Sequence, residues 1–342
     1  MIRQLGFLCV GLGLCFIWTN KNEALGEEFQ RAETFDAPAN SKLPADSKGP
    51  AASKGWYSGF DIVIAKPLYS NNLGLTESIQ PSNQQISIEN VEFDYDYQSS
   101  PRVWIGYQSP SQLGLRATWW QIANQANEIS RTPSATGFGS IAHPGFGDID
   151  ISAITPNESM IANANLDVYA IDLEITRSAE LGPGQILIGG GIRFAALEQN
   201  YSAQLLNSNS VIAGAIDYRQ QVRGIGPTVS SSFSRALTRR WSWFAGGRSS
   251  LLVGEGKERL DAGEDLDFVN PQRTRETSFR DQLLPILDLQ LGSSMQLPCV
   301  GVFQPMVRGG WEASWWGDVG NNSGGASDLG FVGFFVGCEA TW

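Results

Sequence analysis

Beyond residue 56 the sequence alternates with a period of two. Apolar residues hold one parity and small, polar or charged residues the other, in segments of ten residues or more. That rhythm constrains the fold more than any other feature, because a helix cannot keep it and a strand can. In water, alternation marks a half-buried strand of about five or six residues. Segments twice as long suit tilted strands that cross a membrane, one parity facing lipid and the other a lumen.

The last segment, 329–342, sets Val332, Phe334, Val336, Cys338, Ala340 and Trp342 against Gly333, Phe335, Gly337, Glu339 and Thr341. A free sheet edge is not tolerated in hydrocarbon, so this strand is expected to pair with the first and close a barrel. An apolar strand finishing on an aromatic also resembles the C-terminal segment by which outer-membrane assembly machinery recognises its clients. Phe334, Val336 and Trp342 are the residues that would carry that signal.

Ten such segments are found, near 56–66, 91–108, 112–123, 166–177, 185–199, 215–235, 241–253, 279–295, 302–316 and 329–342. Connections alternate between tight turns (109–111, 179–184, 236–240, 296–301) and long loops (67–90, 124–165, 200–214, 254–278, 317–328). The fold expected is all-β: a transmembrane antiparallel up-and-down barrel of about ten strands, with short periplasmic turns and long extracellular loops. Twelve strands result if 124–165 holds a further hairpin. Pro285, inside the eighth segment, marks a bulge or an edge.

Composition agrees: 38 Gly, 11 Trp and 17 Phe accompany 17% charged residues, and the only apolar block is 5–18. Arg3, that block, and Ala24-Leu25-Gly26 read as a signal peptide over 1–26 cleaved after Gly26. Residues 27–55, rich in Pro, Ala, Ser and Lys, read as a disordered periplasmic linker before a barrel over 56–342. The mature chain keeps Cys299 and Cys338, for which a disulfide and two buried free thiols are equally open. A net charge of −11 excludes the basic footprint of a nucleic-acid binder.

Three passages, 186–201 (ILIGGGIRFAALEQNY), 222–233 (VRGIGPTVSSSF) and 241–254 (WSWFAGGRSSLLVG), with a weaker one at 93–107, resemble the Legionella-type pore-forming outer-membrane protein family. The resemblance covers roughly 90–255 and implies a porin-like barrel with no cofactor and no catalytic centre. The 27–55 segment shows no coiled coil, so peptidoglycan attachment is not supported.

Charges on the inward parity are the candidate site: Asp61, Arg102, Arg116, Asp172, Glu174, Arg193, Arg248, Asp288, Arg308 and Glu312. Opposed acids and guanidinium groups around one lumen would set a transverse field that selects solutes. Equally, they would fill a narrow barrel with ion pairs. Enzyme chemistry finds no support: the single histidine, His143, is expected on a surface loop without a catalytic partner. The acids Asp261, Glu264, Asp265 and Asp267 lack the spacing of a calcium loop. No zinc cluster, phosphate loop or nucleophile motif is present. Two functions follow: a passive channel for small polar solutes or ions, or a closed structural or adhesive barrel whose loops bind a partner. The partners expected are outer-membrane lipid and the assembly machinery; the oligomeric state stays open.

Overall fold

The computed structural model describes residues 55–80, 86–134, 138–144, 151–264, 273–320 and 327–342. The signal and linker segments expected before residue 55 lie outside them. Every regular element described is a strand: β1 (Gly55–Tyr69), β2 (Leu73–Gln80), β3 (Ser87–Glu92), β4 (Gln98–Gln108), β5 (Leu113–Gln125), β6 (Ile129–Arg131), β7 (Phe138–Ala142), β8 (Ser152–Ala153), β9 (Ser159–Leu181), β10 (Gly184–Leu206), β11 (Ile212–Ala236), β12 (Trp241–Glu264), β13 (Arg273–Gln296), β14 (Gln304–Trp316) and β15 (Leu329–Thr341).

Ten of these form a closed antiparallel ring in the order β1, β4, β5, β9, β10, β11, β12, β13, β14, β15 and back to β1. The seam runs from Tyr57 opposite Thr341 to Tyr69 opposite Leu329. It is finished by Trp56 and Trp342, whose backbone N–H groups each donate to the other's carbonyl, at 3.0 and 2.9 Å. The ring therefore has no free edge. Strands β6, β7 and β8 occupy the segment that could have raised the count to twelve, but none joins the ring as a spanning pair. β6 lies along β9, while β7 and β8 join β2 and β3 in a separate four-stranded sheet.

The membrane band is legible in the outward residues. On β12 it runs from Trp241 to Val253, and on β13 Leu291, Leu289 and Leu283 continue it, all of them exposed. Twelve steps of about 3.3 Å, tilted by about 45°, give roughly 28 Å, the height of a barrel's apolar belt.

Above the belt, β9 to β13 continue as strands of 23 to 25 residues, and the apolar parity inverts. On β9, Ile171, Leu173 and Ile175 face outward in the belt, whereas Val168, Leu166, Ala164, Ala162 and Met160 above it face inward and are at most 1% exposed. The belt is solvated by lipid and so is apolar outside; the extension stands in water and so is apolar inside. Its interior is a packed core. Leu75, Phe93, Tyr95, Ile122, Ile129, Ile141, Ile151 and Ala153, from β2, β5 to β8 and the connections between strands, bury against Tyr201, Tyr218, Val222, Leu252 and Trp316 of the ring.

Three expectations need correction. The second segment is two strands, because the chain breaks between Glu92 and Gln98 to place β3 in the smaller sheet. The outer ends of β9 to β13 were expected too short, by three residues on β11 and by six to eleven on the others, because lipid-type alternation fades above the belt. The irregularity of β13 lies at Asp281 (φ 60°) and not at Pro285, which stays in register with Leu251.

Candidate functional site

All ten charges predicted for the lumen point into the lower, periplasmic half of the barrel, where they form two clusters. In the first, Arg116 of β5 contacts Glu174 of β9 at 2.7 Å. Arg248 of β12 bridges Glu174 at 2.9 Å and Asp172 at 2.8 Å. Arg193 of β10 grips Asp172 with two donors, at 2.6 and 3.1 Å, and reaches Asp288 of β13 at 2.8 Å. Hydroxyls fill the remaining acceptor positions: Ser230 donates to Glu174 and Ser314 to Asp288, both at 2.6 Å. Three guanidinium groups and three carboxylates balance. Arg248 reaches β9 across the chord of two intervening strands, so the cluster spans lumen and not merely wall.

The second cluster lies beneath the seam. Arg102 of β4 contacts Asp61 of β1 at 3.1 Å and Glu312 of β14 at 2.7 Å. Arg308 of β14 approaches Asp61 at 3.6 Å and packs its guanidinium 4.9 to 5.1 Å from the rings of Trp104, Phe244 and Phe335. Its weakly hydrated plane is suited to such a stack. Glu339 of β15, absent from the predicted set, receives the Trp104 indole N–H at 3.1 Å. Its inward parity on the closing strand was the signal. Gln290, bonded to both Glu312 and Arg308, was also missed because a neutral amide on a strand carries no distinctive signal.

Glycine explains how strand backbones come so close here. A Cβ on Gly337 would meet both the Asp61 carboxylate and the Phe60 carbonyl, so β15 can lie over Asp61 only without a side chain at that position. Below and around the clusters is a cavity of about 620 Å³, bounded by Tyr57, Trp104, Ser230, Ser232, Ser234, Ser242, Ser294, Gln108, Gln185, Gln296, Gln304 and Thr341 together with the charges. Gln108, Gln185, Gln296, Gln304 and Thr341 are at the periplasmic strand ends, so the cavity reaches that side. It runs past the clusters to Thr118, Trp120 and Ala170, and above these the inner wall is the apolar core.

Asp61, Asp172, Glu174 and Arg193 are at most 3% exposed. Such charges are retained only when paired, because desolvating a lone one costs several kcal/mol. What the arrangement can do chemically is order dipoles and ions across the barrel. No histidine stands near. His143 follows β7 in the smaller sheet and is 7% exposed, its Nδ1 2.8 Å from the Pro144 carbonyl. It was expected on an exposed loop; the loop folds into a sheet that packs on the upper core.

The cysteines also differ from expectation. Both are free and exposed. Cys338 sits on the outward parity of β15 opposite Val307, three residues, or about 10 Å, from the level of Thr341 and Gln304, and Cys299 lies in the turn beyond. That exceeds disulfide reach. Phe334, Val336 and Trp342 are exposed on the outer face of β15 and its end. Of the loop acids, Asp261 accepts from Arg259 at 2.7 Å and Thr274 at 2.8 Å, while Asp265 and Asp267 lie outside the described residues.

Among solved structures, the chain is similar to the outer-membrane protease OmpT of Escherichia coli, with 12% identity, a TM-score of 0.44 and coverage of 85% of this chain and 98% of that one. OprG of Pseudomonas aeruginosa gives 7% identity and a TM-score of 0.30 over 83% of this chain and 96% of that one. The toluene transporter TodX of Pseudomonas putida gives 6% and 0.27 over 85% and 90%. No curated protein sequence matches the chain. The family model described as Legionella pneumophila major outer membrane protein precursor matches residues 48–341. With a closed barrel, a lipid-facing belt and that match over nearly the whole barrel, this chain belongs to the Legionella major outer-membrane protein family.

Proposed function

We propose that this outer-membrane barrel is a channel for small polar solutes or ions that rests closed on its extracellular side. The observation that carries the reading is the cavity of about 620 Å³, which reaches the periplasmic ends of the strands, is crossed by the paired charges and ends at Trp120 and Ala170 beneath the apolar core. A solute entering from the periplasm meets hydroxyls and amides first, then guanidinium and carboxylate groups opposed across the lumen. This sequence of polar groups can replace water around a small hydrophilic solute. Continuing outward requires the sheet of β2, β3, β7 and β8 to move from the inner wall. Export is proposed to use the cleavable signal at 1–26.

A second reading, a permanently closed barrel that acts through its extracellular surface, is favoured by the apolar core above the clusters. Flux into proteoliposomes separates the two. Wild type should admit small sugars slowly, and Leu75→Asp, which places a charge in the core, should admit them several-fold faster. Equal, background-level flux in both would leave the closed barrel as the function.

A further inference from the structure

Immediately above the lipid belt, one sector of the barrel carries three cations around a single carboxylate. On β11, β12 and β13 the belt ends in a single row, Ile225 opposite Val253 and Val253 opposite Leu283. The next outward row is Arg223, Glu255 and Arg280, in register across the same three strands, and Lys257 stands one outward position higher on β12. All four are exposed. Neighbouring strands are about 4.8 Å apart and outward positions about 6.7 Å apart along a strand, so the three cations surround an area the size of a phosphorylated sugar head group.

Two details separate this group from ordinary surface charge. First, Arg280 faces outward only because of a β-bulge. Strict alternation from Leu283 would turn a residue three positions away into the barrel, but the register shifts between Gly254 and Glu255, Asp281 takes a φ of 60°, and Arg280 comes to stand opposite Glu255. Bulges of this kind re-aim side chains. Second, the outward cations higher on β11 and β12 are already engaged, Arg259 with Asp261 at 2.7 Å and Arg219 with Glu198 at 3.6 Å, whereas Arg223, Lys257 and Arg280 have no ion pair among the described residues. The adjoining strands show the opposite sign at this height, with Asp167 on β9 and Glu198 on β10, and Lys66 on β1 is bound to Asp94 at 2.7 Å. The positive sector is thus confined to β11, β12 and β13.

We propose that Arg223, Lys257 and Arg280 form a docking site for the phosphate of an outer-leaflet lipid, whose acyl chains lie on Ile225, Val253 and Leu283. The occupant follows from continuity: a ligand here must be apolar below the row and anionic at it, and a phosphorylated lipid of that leaflet has both parts in that order. Guanidinium groups supply paired donors to the phosphate oxygens and Lys257 a point charge. Glu255 opposes the ligand and limits its affinity.

Full-length barrel in detergent micelles, titrated with diphosphoryl lipid A and read by native mass spectrometry, tests the site. Wild type should retain the lipid, and Arg223→Gln/Lys257→Gln/Arg280→Gln should need at least about ten-fold more lipid for equal occupancy. Dephosphorylated lipid A should bind wild type no better than lipid A binds the triple variant, Glu255→Gln should bind more tightly, and Arg219→Gln/Arg259→Gln should match wild type. Heat-modifiable mobility on gels reports folding of each variant; if the triple variant does not fold, Arg280→Gln alone should weaken binding about three-fold. Equal binding by variant and wild type, or by dephosphorylated and phosphorylated lipid, would overturn the proposal. So would displacement of the lipid by millimolar inorganic phosphate, which would assign the site to the free anion.

Discussion

Tyr201, on the inner wall of β10, donates its hydroxyl to the carbonyl of Gly74 on β2 at 2.9 Å, and Phe93 stands edge-on to its ring with centroids 6.0 Å apart. One side chain thus ties the inserted sheet to the barrel by both a buried hydrogen bond and aromatic packing. Removing the hydroxyl leaves the Gly74 carbonyl short of a donor in an apolar core. Tyr201→Phe should cost about 1–3 kcal/mol, concentrated in the inserted sheet. Hydrogen exchange of 73–80 and 87–92 should accelerate while the belt strands keep their protection; uniform loss of protection would contradict a local tie.

Glu174 holds Arg116 and Arg248 at once. Its neutralisation leaves two guanidinium groups with reduced compensation, and breaking a buried pair costs about 3–5 kcal/mol. Glu174→Gln should therefore lower the thermal midpoint of the gel-shift transition markedly, and should do so with little relief from added salt, because buried pairs are weakly screened. Wild-type stability in this variant would show that the cluster is solvated.

The closing seam depends on Gly337, where any Cβ meets Asp61 and the β1 backbone. Gly337→Ala should slow or reduce assembly, visible as a larger unfolded fraction on gels run without heating, with a folded-state loss of about 1–3 kcal/mol. Exposed Val336→Ala next to it should leave closure intact.

On the extension above the belt, burial raises the Asp217 carboxyl above its ordinary pKa of 3.8; Arg219 opposes this and the facing Asp261 adds to it, with Arg259 opposing again. An acid raised in the folded state binds protons more tightly there, so its contribution is fully present below the ordinary value and is lost as pH rises through the folded one. Asp217→Asn should raise the thermal midpoint at pH 7, and the gain should vanish below about pH 3.8. A gain independent of pH would point to packing instead.

Much of this was legible because lipid imposes a simple rule. Ile171, Leu173 and Ile175 announce the outer face of β9, so strand existence, ring count and the inward placement of Asp172 and Glu174 follow from parity alone. The extension was not legible by the same rule, because Val168, Leu166 and Ala164 reverse the parity without interrupting the strand. Lipid-type alternation fades there, so residues 159–165 read as the end of a loop. The buried position of His143 and the sheet built from β2, β3, β7 and β8 depend on contacts distant in sequence, which no local pattern carries.

Both free thiols should react with maleimide without prior reduction: Cys299 with a charged reagent and Cys338 with an apolar one that partitions into the bilayer. Protection of both until reductant is added would restore the disulfide.

Single-channel recording in planar bilayers addresses the resting closure and the channel together. Wild type should be silent for most of a record with rare discrete openings, and Leu75→Asp should open in steps of the same unit conductance for a much larger fraction of the time. Steady open current from wild type, unchanged in Leu75→Asp, would contradict the account, since an apolar core across the extracellular half of the lumen leaves no path for such a current.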